Sequence, residues 1–333
     1  RHGSLAAASR ECLSQLYETT RPLHLPAMCM VWYAASAITN TAKKSILTSL
    51  PYPVTVTIAQ FLAVAVLCAA GHANGTLSLH APTWRVVRAV APLGLFQLGG
   101  HLAASSAIST ASVAFVHTVK SLSPLFTVLL STLLLGTRYS KHVWVALIPL
   151  MAGVVLACAL GQHSSASNIA FNVAGFMWAA MSTVVFVLQS IFSKRILLSS
   201  SSAALPVHAG HATPVRLDKI NIMAYSSVMA LCVTLPMWLS HDLPRLLAAD
   251  GPGLAVDRRL LGLLALNGLA HFTQALLSIS VLARVSTVTF SITSLLKRIV
   301  IIVAAILWFG ESVSGTQAVG VALTFVGLWM YQR

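Results

Sequence analysis

Three basic residues lie in stretches of sequence that are otherwise apolar. Lys297 and Arg298 are adjacent in "SLLKRIVIIV", residues 294–303, where seven of ten residues are Leu, Ile or Val. Lys120 lies in "FVHTVKSLSPLFTVLLS", residues 115–131. Each such charge costs about 2.5–3.5 kcal/mol at the centre of a membrane helix. Two ammonium groups and one guanidinium fork suit a phosphate dianion, because Arg can donate to two oxygens at once.

The sequence offers these cations no obvious carboxylate partner. All seven acidic residues fall in predicted tails, loops or helix ends, and they are Glu11, Glu18, Asp218, Asp242, Asp250, Asp257 and Glu311. We therefore expect the missing negative charge to come from a bound anion. Snorkelling of the long side chains and capping of backbone carbonyls are the alternatives.

Further polar residues follow helical spacing and are candidate substrate contacts. They are His101, Ser105, His117, His271, Gln274, Ser294 and Lys44. For any one of them, a hydrogen bond between membrane helices is the alternative explanation. Asn40, Lys43 and Lys44 lie near a predicted helix end, where reaching out to lipid headgroups is the favoured role.

The composition indicates an all-α polytopic membrane protein. The chain has 333 residues, of which 57% are hydrophobic and 8% are charged, against about 25% charged in soluble domains. Apolar runs of near 20 residues recur from about residue 27 to 331, which is the length needed to cross a bilayer. The formal net charge of +14 is spread over short loops, so we expect the lipid bilayer and not nucleic acid as the partner.

No motif indicates an enzyme. The chain has no P-loop, no His/Cys cluster at metal spacing and no nucleophile elbow, so we expect no catalytic residues, no cofactor and no bound metal. Coupling to protons usually requires a carboxylate inside the membrane. Exchange of one anion for another is therefore the expected mode of any transport.

Ten transmembrane helices are predicted, arranged as two inverted five-helix repeats. The helices are 27–47, 53–71, 87–107, 110–135, 141–161, 168–193, 219–240, 260–281, 285–309 and 314–331. A shift of 174 residues aligns Gly136 with Gly310 and Gly153 with Gly327. An odd number of helices in each repeat makes the second repeat insert upside down, which is typical of secondary transporters with a substrate site near the midplane.

The chain divides accordingly into three parts. We expect an N-terminal cytosolic segment over 1–26, a first repeat over 27–161 and a second repeat over 168–331, which includes a flexible cytosolic loop over 199–218 between helices 6 and 7. Basic residues are more numerous on the side that carries the N-terminus, which predicts that both termini face the cytosol.

"FVHTVKSLSPLFTVLLS", residues 115–131, and "SITSLLKRIVIIV", residues 291–303, resemble the paired signatures of the triose-phosphate translocator family, in the drug/metabolite transporter superfamily. "SLPYP" after the first helix and "LARVS" before the ninth are also similar. The resemblance covers about residues 28–331 and implies the ten-helix drug/metabolite transporter fold. It implies antiport of organic phosphates against inorganic phosphate, with phosphate bound by Lys120, Lys297 and Arg298. His101 matches the third-helix histidine of triose-phosphate members.

Two departures from that pattern concern the organic part of the substrate. Triose-phosphate members have a tyrosine near the position of Gln274 and a Ser or Thr where this chain has Ala104. "HTVKSLSP" replaces the plastid pattern "HTIKAxEP" and is closest in pattern to the fungal secretory-pathway branch. The resemblance thus implies an endoplasmic reticulum or Golgi membrane, with the plastid envelope as the alternative. It implies a three-carbon substrate such as phosphoenolpyruvate or triose phosphate.

Two other functions stay open at this point. One is a nucleotide-sugar transporter of the same superfamily, which would need a larger pocket with aromatic residues for base stacking. The other is a non-transporting membrane adaptor that keeps the fold. The expected partners are inorganic phosphate, small organic phosphates and the bilayer, with the protein a monomer or a loose dimer.

Overall fold

The computed structural model describes residues 2–79, 83–159, 173–201, 217–247, 258–310 and 315–332. Within these ranges the chain forms eleven helices and no strand. The helices are α1 (His2–Ser49), α2 (Pro53–Ala73), α3 (Trp84–Thr110), α4 (Val113–Lys120), α5 (Ser123–Leu135), α6 (Lys141–Ala159), α7 (Val173–Ser201), α8 (Lys219–Leu247), α9 (Arg258–Arg284), α10 (Thr287–Phe309) and α11 (Gly315–Gln332). Most of the predicted loop 199–218 lies outside the described residues.

Seven segments are long and apolar enough to cross a membrane. They are Pro53–Ala73, Val86–Thr110, Phe115–Leu135, Val173–Leu198, Lys219–Leu247, Arg258–Arg284 and Thr289–Phe309. A shorter apolar helix covers Lys141–Gly153. The protein is therefore a multi-pass helical membrane protein, while the number ten stays a prediction.

Several helices differ from their predicted boundaries, and the differences at the N-terminal segment and beside Lys120 are the most informative. The predicted first helix is the C-terminal part of α1, which begins at His2 within the predicted N-terminal segment. The predicted helix 110–135 is divided into α4 and α5 by a turn at Ser121 and Leu122. Pro124 contributes to the break, because it has no N–H to donate to the carbonyl of Lys120 four residues earlier.

The helices pack in reciprocal pairs. α1 packs on α9, and α7 packs on α3. These two contacts correspond to each other when α1, α2 and α3 are exchanged with α7, α8 and α9. The pairing of α2 with α9 likewise becomes that of α8 with α3, and both of these pairs also touch. α2 packs on α8 and α6 packs on α11. This reciprocity is what a two-fold relation between two halves would produce.

Two glycines that the 174-residue shift aligns, Gly153 in α6 and Gly327 in α11, each lie against the backbone of the facing helix. A Cβ added at Gly153 would lie 2.6 Å from the carbonyl oxygen of Gly320, and it would also meet the backbone of Thr324. One added at Gly327 would lie 2.7 Å from the Cα of Leu150. The shift pairs Leu150 with Thr324, so the two contacts are exchanged by the same relation. Both glycines are needed for the close approach of the two helices.

A buried carboxylate joins α8 to the beginning of α2. Asp242 is 1% exposed and accepts hydrogen bonds from the backbone N–H of Thr55 at 2.9 Å and from its hydroxyl at 2.7 Å. The Trp238 indole N–H donates to the same hydroxyl at 3.1 Å. Asp242 thus lies inside a longer α8 than the sequence predicted. It stabilises the first turn of α2, where backbone N–H groups have no partner within the helix.

Replacing Asp242 by asparagine is expected to destabilise the protein by about 1–3 kcal/mol, because the neutral amide loses the charge that strengthens both hydrogen bonds from Thr55 and puts an NH2 group in place of the oxygen beside the Nδ1 of His241. The matched control is Asp218→Asn, at an exposed position where Asp218 caps α8 through the N–H of Ile220 and where asparagine caps equally well. Thermal unfolding in detergent would measure both. Equal unfolding midpoints for the two variants would contradict this role of Asp242.

Candidate functional site

A cavity of about 240 Å³ lies between eight of the helices. Its walls come from α1, α3, α4, α5, α7, α8, α9 and α10. Its polar lining consists of Thr39, Asn40, Lys43, Gln97, His101, His117, Lys120, Ser123, Thr127, Thr183, Gln189, Ser190, Ser193, Ser226, His271, Gln274, Ser278, Thr287, Ser291, Ser294, Lys297 and Arg298. A polar interior cavity in a bundle of apolar helices is the expected form of a site for a hydrophilic ligand.

Four cationic side chains line this cavity, namely Lys43, Lys120, Lys297 and Arg298. Lys120 is close enough to the other three to be repelled by each of them. Among the described residues that form the cavity wall, none is Asp or Glu. The arrangement therefore has a net positive charge, and a bound anion is the direct way to offset it.

Lys297 and Arg298 are placed by α10. This helix begins after Ser286, whose hydroxyl accepts the N–H of Thr289 at 3.1 Å and caps the first turn. The hydroxyls of Ser291 and Thr127 lie 2.9 Å apart and join α10 to α5. The Nη1 of Arg298 is buried and has no hydrogen-bond partner in the described residues. This nitrogen is thus available to a ligand.

Lys120 is placed by the break between α4 and α5. It is the last residue of α4, and its ammonium lies 5.6 Å from the ring centroid of Phe186 in α7. Ser123 and Thr127 in the first turns of α5 line the cavity beside it. The break thus brings a cation and the N-terminal end of a helix, which favours anions, to the same cavity.

Lys43 and Lys44 are adjacent in α1 but have different environments. Lys43 is 3% exposed, lines the cavity and donates to the hydroxyl of Ser105 at 3.2 Å. Lys44, which the sequence made a candidate contact, lies outside the cavity lining. It donates to the carbonyls of Ile108 and Ala111 at 2.8 and 3.0 Å, at the end of α3. Adjacent helical residues point about 100° apart, and at this position of α1 it is Lys43 that points into the cavity.

Two histidines lie together in the cavity. His101 and His271 meet edge to face, with centroids 4.8 Å apart at 88°, and His101 makes a similar contact with Phe186 at 5.1 Å. Neither ring nitrogen of His271 has a hydrogen-bond partner in the part of the chain that the structure describes, and the same holds for the Oε1 of Gln274. These groups can donate to or accept from a ligand.

The other predicted contacts divide into two groups. His117 and Ser294 line the cavity, and the Nε2 of His117 lies 3.0 Å from the Oδ1 of Asn40. Ser105 lies behind the lining, where its hydroxyl accepts from Lys43 and lies 3.0 Å from that of Thr57. Ser105 thus holds the ammonium of Lys43 and does not itself face a ligand.

Sequence reasoning missed three residues that shape the site. Lys43 has a visible signal, because Thr39, Asn40 and Lys43 fall on one helical face at spacings of three and four. Trp32 and Phe186, which pack against Lys297 and Lys120, have no such signal. Their contacts join residues far apart in the chain. Within the described residues, no group of three or more His, Cys, Asp or Glu side chains could hold a metal ion.

A bundle of apolar helices around a cationic, polar cavity is typical of membrane transport proteins. The fold is shared with another protein of known crystal structure, at a TM-score of 0.59 and 20% sequence identity, over 92% of this chain and 96% of that one.

The chain belongs to the Triose-phosphate Transporter family, whose model matches residues 23–332. It is 38% identical to a Schizosaccharomyces pombe protein named as a transporter, C83.11, over 92% of this chain and 65% of that protein. It is 28% identical to SLY41 of Saccharomyces cerevisiae, named as an uncharacterized transporter, over 93% of this chain and 80% of that one. It is 31% identical to the chloroplastic phosphoenolpyruvate/phosphate translocator 3 of Oryza sativa, over 98% of this chain and 78% of that one.

The family resemblance seen in the sequence is thereby confirmed, together with its relation to fungal members. The chain spans slightly less than two thirds of the length of C83.11. It is thus a member of a family of transporters.

Proposed function

We propose that the protein is a secondary antiporter that exchanges a small phosphorylated metabolite for inorganic phosphate by alternating access. The observation that carries this proposal is the group of four cations, Lys43, Lys120, Lys297 and Arg298, on one cavity whose described lining has no carboxylate. A phosphate dianion would offset much of that charge. It would also supply acceptors for the unpartnered Nη1 of Arg298.

Exchange follows from the electrostatics of the empty cavity. Lys120 repels the other three cations, and no buried counter-charge is available to them within the described cavity wall. Reorienting an empty site through a closed intermediate would keep these cations away from water, which is costly. A bound anion removes most of this cost. The loaded carrier therefore crosses between its two orientations more easily than the empty one, and each inward step is coupled to an outward one.

Ten transmembrane helices in two inverted five-helix repeats are part of this proposal. The reciprocal pairing of α1 with α9 and of α3 with α7 supports it, as do the exchanged contacts of Gly153 and Gly327. The cavity wall includes the C-terminal part of α7 and the N-terminal part of α8, which flank the 199–218 loop. The cavity thus extends towards the face that the positive-inside rule assigns to the cytosol, with both termini on that side.

A three-carbon phosphate is the proposed organic substrate, carried across an endoplasmic reticulum or Golgi membrane. The cavity of about 240 Å³ is small. Apart from histidines, the aromatic residues in its described lining are Phe186 and Phe290. A nucleotide sugar would need more room and base-stacking rings. A phosphoenolpyruvate/phosphate translocator among the relatives supports phosphoenolpyruvate as the first candidate, ahead of triose phosphate because Gln274 replaces the tyrosine of triose-phosphate members.

Competition in liposomes would test the substrate class. The purified protein would be reconstituted in vesicles loaded with inorganic phosphate. The uptake of labelled phosphate into these vesicles would be measured in the presence of phosphoenolpyruvate, dihydroxyacetone phosphate, uridine monophosphate or sulfate. We expect the two three-carbon phosphates to inhibit uptake at lower concentrations than the other two compounds. Stronger inhibition by uridine monophosphate would instead indicate a nucleotide-sugar carrier. The absence of any exchange would indicate a non-transporting adaptor.

A further inference from the structure

The ammonium of Lys297 lies over the face of an indole ring. Its Nζ is 4.4 Å from the ring centroid of Trp32 in α1, well within the range of a cation–π interaction. Trp32 is not part of the cavity wall, whereas Lys297 is. We propose that Trp32 is a positioning residue, which holds the Lys297 ammonium where it can bind the phosphate group. This inference rests on the proposed function, because it takes Lys297 as a ligand of phosphate.

The ring that holds the ammonium is itself held in place. Trp32 is fully buried and stacks on Phe290 of α10, with centroids 5.4 Å apart and planes at 19°. The neighbouring Tyr33 donates its hydroxyl to the backbone carbonyl of Thr293 at 3.1 Å. The indole therefore keeps a fixed position relative to α10, because Phe290 and Thr293 lie one to two turns before Lys297 in that helix. A flexible lysine gains a defined position from a rigid neighbour.

An aromatic ring suits this task better than a carboxylate would. A carboxylate beside Lys297 would neutralise the ammonium, occupy some of its three N–H donors and repel an incoming anion. The face of an indole attracts the cation through its quadrupole, without a net charge and without accepting a conventional hydrogen bond. The Nε1 of Trp32 has no hydrogen-bond partner in the described residues, so packing and the cation contact account for the placement of the ring. Lys297 thus keeps its N–H donors for the ligand.

Fluorinated tryptophans at position 32 would test this role, because fluorination weakens the quadrupole while the shape of the ring is nearly kept. Incorporation of mono-, di- and tetrafluorotryptophan should raise the dissociation constant for inorganic phosphate stepwise, by about tenfold for the tetrafluoro form. Isothermal titration of the full-length protein in detergent would measure it. The matched control is tetrafluorotryptophan at Trp84, which is 77% exposed and lies outside the cavity wall. It should leave the constant unchanged.

The same series in a Lys297→Gln background separates positioning from packing. Since the ring would act only through the ammonium, fluorination should have no further effect on phosphate binding in this background, measured at higher phosphate concentrations. If fluorination left the dissociation constant for phosphate unchanged in the wild-type background, the inference would be overturned. An equal loss of phosphate affinity in both backgrounds would also overturn it, because the ring would then have a purely structural role. A wild-type protein that binds no phosphate at all would overturn the proposed function, and with it this inference.

Discussion

Replacing Arg298 by glutamine is expected to weaken phosphate binding by about a hundredfold, which corresponds to about 3 kcal/mol. The guanidinium lines the cavity, and its Nη1 is buried without a partner in the described chain. Its fork can donate two parallel hydrogen bonds to a phosphate group, and glutamine can supply neither the charge nor that geometry. Titration of inorganic phosphate against the purified variant would measure the loss.

Arg298→Lys gives this prediction a graded comparison. Lysine keeps the positive charge and loses the planar fork, so we expect an intermediate loss of about tenfold. The matched control is Arg259→Gln, because Arg259 is exposed at the beginning of α9 and lies outside the cavity wall. It should bind phosphate as the wild type does. Wild-type affinity in Arg298→Gln would remove Arg298 from the site.

Leucine at Gly153 or at Gly327 is expected to prevent the close packing of α6 against α11. In both cases an added Cβ would overlap the backbone of the facing helix, at Gly320 and Thr324 or at Leu150. Backbone atoms cannot rotate away as the end of a side chain can. The helices would have to separate and lose close contacts along their length, a cost of several kcal/mol. We expect both variants to elute as aggregates in detergent and to show no cooperative unfolding.

Gly262→Leu is the control for this pair. Gly262 is also a helical glycine, in α9, but an added Cβ there would meet no atom within 4 Å. This variant should be monodisperse and unfold at the wild-type temperature. The proposed two-fold relation between the halves adds a sharper expectation, because contacts that this symmetry would exchange should be disrupted to a similar degree. A well-folded Gly153→Leu protein beside an aggregated Gly327→Leu protein would contradict the reciprocal packing.

The cations at the centre of the site could be predicted from the sequence because they are conspicuous there. Lys120, Lys297 and Arg298 lie in apolar runs, and a charge in such a run needs a physical reason. The break at Pro124 could not have been predicted from the proline alone, because Pro92, Pro149 and Pro236 lie inside continuous helices. The sequence prediction ran one helix through it because the apolar pattern continues on both sides.

Other parts of the site depend on information that a helical pattern does not contain. Lys43 and Lys44 are adjacent, and which of them faces the cavity depends on the rotation of α1 against α3 and α9. The burial of Asp242 depends on a partner, Thr55, that is 187 residues away in the chain. Trp32 and Lys297 are likewise brought together only by the packing of α1 on α10. Long-range packing decided each of these positions.

A carrier built around this cationic cavity should exchange phosphate, and it should reorient only slowly when the cavity is empty. Uptake of labelled inorganic phosphate into vesicles loaded with unlabelled phosphate, compared with uptake into empty vesicles, tests it most directly. We expect rapid uptake into the loaded vesicles, little uptake into the empty ones, and little into either with a Lys120→Gln protein. Equal uptake by the wild-type protein into loaded and empty vesicles would contradict the claim.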